Sequence, residues 1–83
     1  MLLKLTAHDV LELLRDYGYT IVDIAEALDM TPASLSRIYH GHAQPRRETY
    51  QKILDLAERE SAKNVELCKR LISLINEGGG GYL

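Results

Sequence analysis

Between residues 20 and 41 the chain reads TIVDIAEALDMTPASLSRIYHG, and no other stretch narrows the possible folds as much. Ile21, Ile24, Ala25 and Leu28 recur at i, i+3, i+4 and i+7, which places four apolar side chains on one face of a helix. Asp29 and Met30 interrupt that pattern. Thr20 can cap the first segment, because its hydroxyl oxygen can accept from a free amide one turn on. Thr31 can cap a second segment, with Pro32 at the first helical position, where a missing N–H costs nothing. Leu35 and Ile38 then face inward, and Gly41 can close the helix in the left-handed conformation. Helices this short are unstable alone, so the rest of the chain must supply their core. The expected shape is helix, turn, helix.

The flanks supply that core. Thr6-Ala-His-Asp9 reads as a capped start, with Asp9 in a first turn that favours negative charge. Val10, Leu13, Leu14 and Tyr17 form a stripe that Gly18 ends, so a first helix is expected over about 7–17, packed across the next two. Its outer face carries Asp9, Glu12 and Asp16. After Gly41, Pro45 restricts Gln44 to extended geometry and opens a fourth helix, about 46–60, with Tyr50, Ile53, Leu54 and Ala57 turned to the core. No Gly or Pro occurs from Glu48 to Glu77, but Ser61 and Asn64 offer a break, and a separate last helix is expected at about 62–77.

On that last helix, at about 100° per residue, Leu74, Leu67, Leu71, Ile75, Cys68, Ile72 and Val65 fill an arc of about 180°. Docking onto one core needs little more than 100°. The surplus predicts a second subunit at Leu67, Leu71, Leu74 and Ile75. The alternative is that the helix sinks deeper into its own core. The domain is thus expected to span 1–77, with the motif at 20–41. Gly78 to Gly81 begin a flexible Gly-rich tail, 78–83, which is not a phosphate loop because no Lys-Ser/Thr follows the glycines.

Eighty-three residues allow one small domain with a marginal core, for which dimerisation is a natural supplement. The single cysteine, Cys68, cannot pair within the chain and suits a reducing cytoplasm. Nothing reads as a membrane span or signal peptide: the apolar start Met1 to Leu5 is broken by Lys4 and far too short. The net charge of −2 is unevenly spread. Across residues 1–30, Lys4 and Arg15 meet six acids, a net −4. Across 31–52, Arg37, Arg46, Arg47 and Lys52 meet only Glu48, a net +3, and residues 53–83 carry −1. The one basic segment is the second half of the motif together with the loop and helix start after it. A basic face on an acidic body is what phosphate binding requires locally; the plainer account is a cluster on a solvated face.

Gly18-Tyr-Thr20, Ile24-Ala-Glu-Ala-Leu28, Thr31 to Leu35, Ser36-Arg-Ile38, Gly41 and Pro45 resemble the Cro/phage-repressor (Cro/C1-type, XRE-like) helix-turn-helix family over about residues 8–57. The resemblance implies an all-α, compact four- to five-helix domain of lambda-repressor-like type, double-stranded DNA as partner, and frequent homodimers. It matches Ala25 to the small residue that lets the two motif helices approach, and Leu28, Met30, Leu35 and Ile38 to the core between them. It places Pro32, Ala33, Ser36 and Arg37 against base edges. Arg37 has the planar fork that matches guanine O6 and N7, and Ala33 can touch a thymine methyl. Thr20, Thr31, Ser34, His40, His42, Gln44, Arg46 and Arg47 are expected at phosphates. Two positions depart from the family. Ile21 stands where Gln often grips phosphate, which shifts that task to Thr20 and backbone amides. Asp29 stands where the turn usually has Gly, although Asp tolerates the left-handed conformation better than most residues.

Other chemistry has little to stand on. His40-x-His42 lacks a third ligand at metal-binding spacing, Cys68 reads as a small buried hydrophobe, and no nucleophile–base or paired-carboxylate arrangement has context. No cofactor, metal or enzymatic activity is expected. Arg37 has an alternative role, paired with an acid of the first helix. The expectation is a sequence-specific transcriptional regulator, a dimeric repressor of phage or mobile-element type on a palindromic operator. The alternative is a protein-interaction module, antitoxin-like or anti-activator, that holds a protein partner through the C-terminal helix or the motif.

Overall fold

The computed structural model describes residues 5–79, with side chains through Asn76. Five helices occur in order: α1 (Ala7–Asp16), α2 (Ile21–Ala27), α3 (Pro32–Tyr39), α4 (Arg47–Ser61) and α5 (Val65–Gly79). The expected tail begins two residues inside α5, since Gly78 and Gly79 remain helical; Met1 to Lys4 and the rest of the tail, Gly80 to Leu83, lie outside the described residues.

The first three helices start and stop by the same local devices. Thr6 and Thr20 each form a reciprocal capping box, accepting from the amides of Asp9 (3.1 Å) and Asp23 (3.0 Å), whose carboxylates accept from the threonine amides in return. Thr31 accepts from the Ser34 amide at 3.1 Å. Each helix ends in a paired 6→1 and 5→2 closure around a left-handed residue. At Gly18 (φ +96°) the closing bonds run from the Tyr19 amide to Leu14 and from the Gly18 amide to Arg15. At Asp29 (φ +59°) they reach Ala25 and Glu26, and at Gly41 (φ +81°) they reach Arg37 and Ile38. Asp29 therefore performs the turn that glycine performs at the other two ends.

α4 and α5 are separate helices. The Ser61 hydroxyl donates to the Glu58 carbonyl at 2.7 Å, and Asn64 Oδ1 accepts from the Leu67 amide at 3.1 Å. Asn64 thus caps α5, which starts three residues later than the expected 62.

α1 is the hub. It lies against α3, α4 and α5, whereas α2 packs chiefly on α3; the expectation that α1 crosses α2 and α3 is corrected to that extent. The cause is Leu11, fully buried beside Val10, Leu13 and Leu14, which widens the apolar arc of α1 enough to serve three neighbours. Ile24, Ala25, Leu28, Leu35, Ile38, Ile53, Leu56 and Ala57 complete the middle of the core. Ala25, with no exposed surface, lets α2 and α3 meet at close range. Tyr50 is half-buried and ties α4 to the entry of α1 by donating to the Leu5 carbonyl at 2.7 Å.

Leu67 and Leu71, expected at a subunit interface, are buried within this core and are not available to a partner. Leu74 is partly buried against the same cluster. Of the four residues expected there, Ile75 alone is exposed. No strand occurs among the described residues, and no described helix is long and apolar enough to cross a membrane.

Candidate nucleic-acid interface

α3 buries Leu35 and Ile38 and leaves the rest of its circumference outward. With about 100° between residues, Ala33, Ser36, Arg37 and His40 fall in one stripe opposite the buried pair. Pro32 and Ser34 lie at its two edges. Ala33, Arg37 and His40 are exposed and Ser36 is half-exposed. The side chains are small towards the start of the stripe and large towards its end, so the backbone of the first turn can approach a surface closely while Arg37 reaches ahead.

Arg37 has no hydrogen-bond or ion-pair partner among the described residues; its pairing with an acid of α1 does not occur. Of the four ion pairs of the described residues, His8–Glu12 lies on α1, Arg70–Asp16 joins α5 to the end of α1, and Arg59–Glu60 and Lys63–Glu60 lie where α4 gives way to α5. The basic side chains of the motif and the loop after it are left uncompensated. Such charge attracts an anionic polymer over a range set by salt.

The loop after α3 continues this flank. His42, Gln44, Arg46 and Arg47 are all exposed. Arg46 occupies the cap position of α4 and makes no side-chain capping bond, so the leading amides of α4 are open beside two guanidinium groups, a setting that favours anions. Glu48, in the same first turn, works against this.

Two expected phosphate donors are already engaged. The Thr20 amide is bound by the Asp23 carboxylate, which leaves the Thr20 hydroxyl proton as its free donor. The Thr31 hydroxyl donates to Ser34 Oγ at 2.9 Å. The start of α2 therefore carries an acid where phosphate contact is expected from sequence, and the Thr-x-x-Asp spacing is the signal for it.

A brace at the far end of α3 has no counterpart in the sequence pattern. His8 of α1 places Nδ1 2.7 Å from the Tyr39 carbonyl and Nε2 2.8 Å from Glu12 Oε1. Its ring lies 5.0 Å from the Tyr39 ring, and the Arg15 guanidinium sits 5.2 Å from the same ring. All three histidines of the chain gather here, with His40 5.1 Å from Tyr39 and 6.3 Å from His42 by ring centroids. His8 and Arg15 are 31 and 24 positions from Tyr39, so no local spacing announces them. Among the described residues no three His, Cys, Asp or Glu side chains are placed to hold a metal ion.

No curated protein and no solved structure matches the chain. A helix-turn-helix family model, of Cro/C1 type, matches residues 10–60, more than half of the chain. That span runs from within α1 almost to the end of α4 and encloses the whole outward stripe. With five helices in the expected order and the turn intact, the chain belongs to the Cro/C1-type helix-turn-helix family of DNA-binding domains.

Proposed function

We propose that the protein is a sequence-specific transcriptional repressor of phage or mobile-element type, acting in the cytoplasm as a homodimer on a palindromic operator. The observation that carries this reading is the α3 stripe: an exposed, unpaired Arg37 behind small side chains on the basic flank of an otherwise acidic body. In this reading Ala33, Ser36 and Arg37, with Pro32 at the edge, meet base edges. Arg37 supplies a bidentate contact to guanine. Ser34, His40, His42, Gln44, Arg46 and Arg47 hold phosphates, with smaller shares from the hydroxyls of Thr20 and Thr31. Two-fold symmetry places half-sites about 34–36 Å apart, one turn of duplex, and a bound operator excludes polymerase.

Selection of bound sequences from a random duplex pool, followed by anisotropy titrations, tests the reading. A palindrome should emerge. Arg37→Ala should cost about 1–3 kcal/mol and relax preference at one position per half-site. Arg46→Ala and Arg47→Ala should weaken all duplexes alike and flatten the salt dependence. Absence of salt-dependent binding to any duplex would overturn it.

The acid at the start of α2, with Ile21 and Asp29 in place of the usual phosphate-gripping and turn residues, favours one competing reading. In it the domain is an antitoxin-like or anti-activator module that binds a protein. A stoichiometric protein partner that survives nuclease treatment, with no enriched DNA, would select that reading.

A further inference from the structure

The apolar stripe of α1 accounts for its hold on the core, but not for a second line of side chains beside it. His8, Glu12 and Arg15 are spaced four and three apart, which places them on one face of the helix, and all three are exposed. Together they hold Tyr39, the last residue of α3. The amides that close α3 take the carbonyls of Ser36, Arg37 and Ile38. The Tyr39 carbonyl is taken instead by His8 Nδ1, at 2.7 Å. A carbonyl only accepts, so Nδ1 is the donor. Glu12 Oε1, 2.8 Å from Nε2, holds the imidazole from its other side. The Tyr39 ring lies 5.0 Å from the His8 ring and 5.2 Å from the Arg15 guanidinium. Backbone and side chain of Tyr39 are thus both fastened to α1.

We infer that His8 is a positioning residue: by fixing the end of α3 to α1 it sets how sharply Arg37 tells one base from another, without contacting DNA itself. The inference rests on the DNA-binding reading above. Leu35 and Ile38 seat α3 by burial, but apolar burial is non-directional, and two side chains three residues apart resist a small turn of the helix about its axis only weakly. A hydrogen bond fixes direction, because it weakens steeply off line. Little movement is needed to matter. A turn of about 10° shifts a side-chain tip about 6 Å from the axis by about 1 Å, which exceeds the window of about 0.5 Å in which N–H···O distances fall. A bidentate contact between Arg37 and guanine is lost over such a shift. Arg46 and Arg47, which lie beyond α3 on long exposed side chains, can follow a phosphate through it. Loss of the His8 bond therefore blunts discrimination and spares non-specific binding. Both nitrogens of His8 are engaged within the protein, which leaves no donor for a phosphate. The His8–Glu12 pair, 47% and 53% exposed, adds little to stability, so the role is one of geometry.

Two substitutions tell the ring nitrogens apart. The side-chain amide of Asn reaches the place of Nδ1, and that of Gln the place of Nε2. His8→Asn therefore keeps the donor to Tyr39, and His8→Gln gives it up. Anisotropy of the full chain is measured on a selected duplex, on the same duplex changed at the guanine whose preference Arg37→Ala relaxes, and on an unrelated duplex. The wild type should lose about tenfold or more in affinity at the changed guanine. In His8→Gln that ratio should fall to about threefold or less, with affinity for the unrelated duplex within about twofold of wild type. His8→Asn should keep the ratio within about twofold of wild type. In NMR spectra of the free protein the Tyr39 carbonyl carbon should move upfield in His8→Gln and hold its place in His8→Asn, which reads the bond apart from DNA. An undiminished ratio in His8→Gln, or an Asn variant no better than the Gln variant, would overturn the inference. So would a loss in His8→Gln shared equally by the unrelated duplex, which is what a general loss of fold produces. If the wild type binds no duplex, the DNA-binding reading fails and this inference with it. A wild type that discriminates beside a His8→Gln that does so equally sinks the inference alone.

Discussion

α3 and α5 each turn one face to the core and one to solvent, and the two outward faces are opposites. That of α3 is small and polar, ending in Arg37 and His40. That of α5 is a line of Val65, Ile72 and Ile75. A hydrated, charged polymer is met by donors and guanidinium groups, because each phosphate contact exchanges counterions for protein charge. A protein surface is met by apolar area, because water leaves both sides. One small domain can thus present two surface chemistries on two helices, provided that each helix is anchored by its inner face. In α3 that anchor is Leu35 and Ile38; in α5 it is Leu67 and Leu71.

The largest expected effect tests that division. Leu35 has no exposed surface, and Leu35→Ala should cost about 2–5 kcal/mol by loss of burial and the cavity left behind. In a domain this small that is a large share of total stability. A urea melt should show the midpoint collapse with the slope retained, and DNA binding should fall with the folded fraction. Val65→Ala, on the outward face of α5, should leave the melt within about 0.5 kcal/mol. Equal losses from both would erase the distinction between anchoring and outward faces.

The motif is legible in the sequence because its signals are local. Thr20, Thr31, Pro32, Asp29 and Gly41 act within one turn of themselves, and their structural roles derive from residue type. The outward position of Arg37 is set by the inward positions of Leu35 and Ile38. The surplus of the α5 arc is also legible, but its division is not. Seven apolar residues over about 180° exceed the arc that one core requires; which of them turn to the core depends on where α1 and α4 sit. Leu67 and Leu71 are consequently expected in the interface and lie in the core. Leu11 shows the same limit, since nothing local marks it as the residue that turns α1 into the hub. The brace of His8 and Arg15 on Tyr39 is illegible because it joins residues far apart in sequence.

A smaller effect lies in the turn that aims α3. Asp29 holds φ +59°, a region that costs a residue with a Cβ roughly 1–2 kcal/mol, less for Asp than for most. Asp29→Ala should therefore destabilise by about 1 kcal/mol, whereas Asp29→Gly should not. Asp29→Gly should also tighten duplex binding modestly at low salt, because a negative charge leaves the turn beside the α3 stripe. Melts of the two variants, paired with titrations at two ionic strengths, separate the conformational effect from the electrostatic one. If the glycine variant loses stability like the alanine variant, the left-handed turn is not what Asp29 supplies.

The smallest effect concerns the strap between the two halves. The Tyr19 hydroxyl, in the loop between α1 and α2, donates to Glu60 Oε1 at 2.6 Å, just before α4 yields to α5. That bond holds the Glu60 carboxyl below its usual range, helped by Lys63 and Arg59 and opposed by partial burial. It raises Tyr19 in turn, together with burial and the Glu60 charge. A depressed carboxyl contributes stability above its unfolded value and loses it as pH falls through the folded one. A raised phenol contributes below its ordinary 10.0 and loses it as pH rises through the folded value. Tyr19→Phe should therefore cost about 1 kcal/mol at neutral pH, the scale of one net hydrogen bond. The difference from wild type should narrow in acid as Glu60 takes a proton, and narrow again in strong base as Tyr19 loses one. Urea melts at about pH 3, 7 and 10.5 read both limbs. Because the strap does not touch the α3 stripe, duplex affinity should stay at its wild-type value in Tyr19→Phe. A change would mean that the α3 stripe is coupled to the end of α4 through the loop that joins α1 to α2.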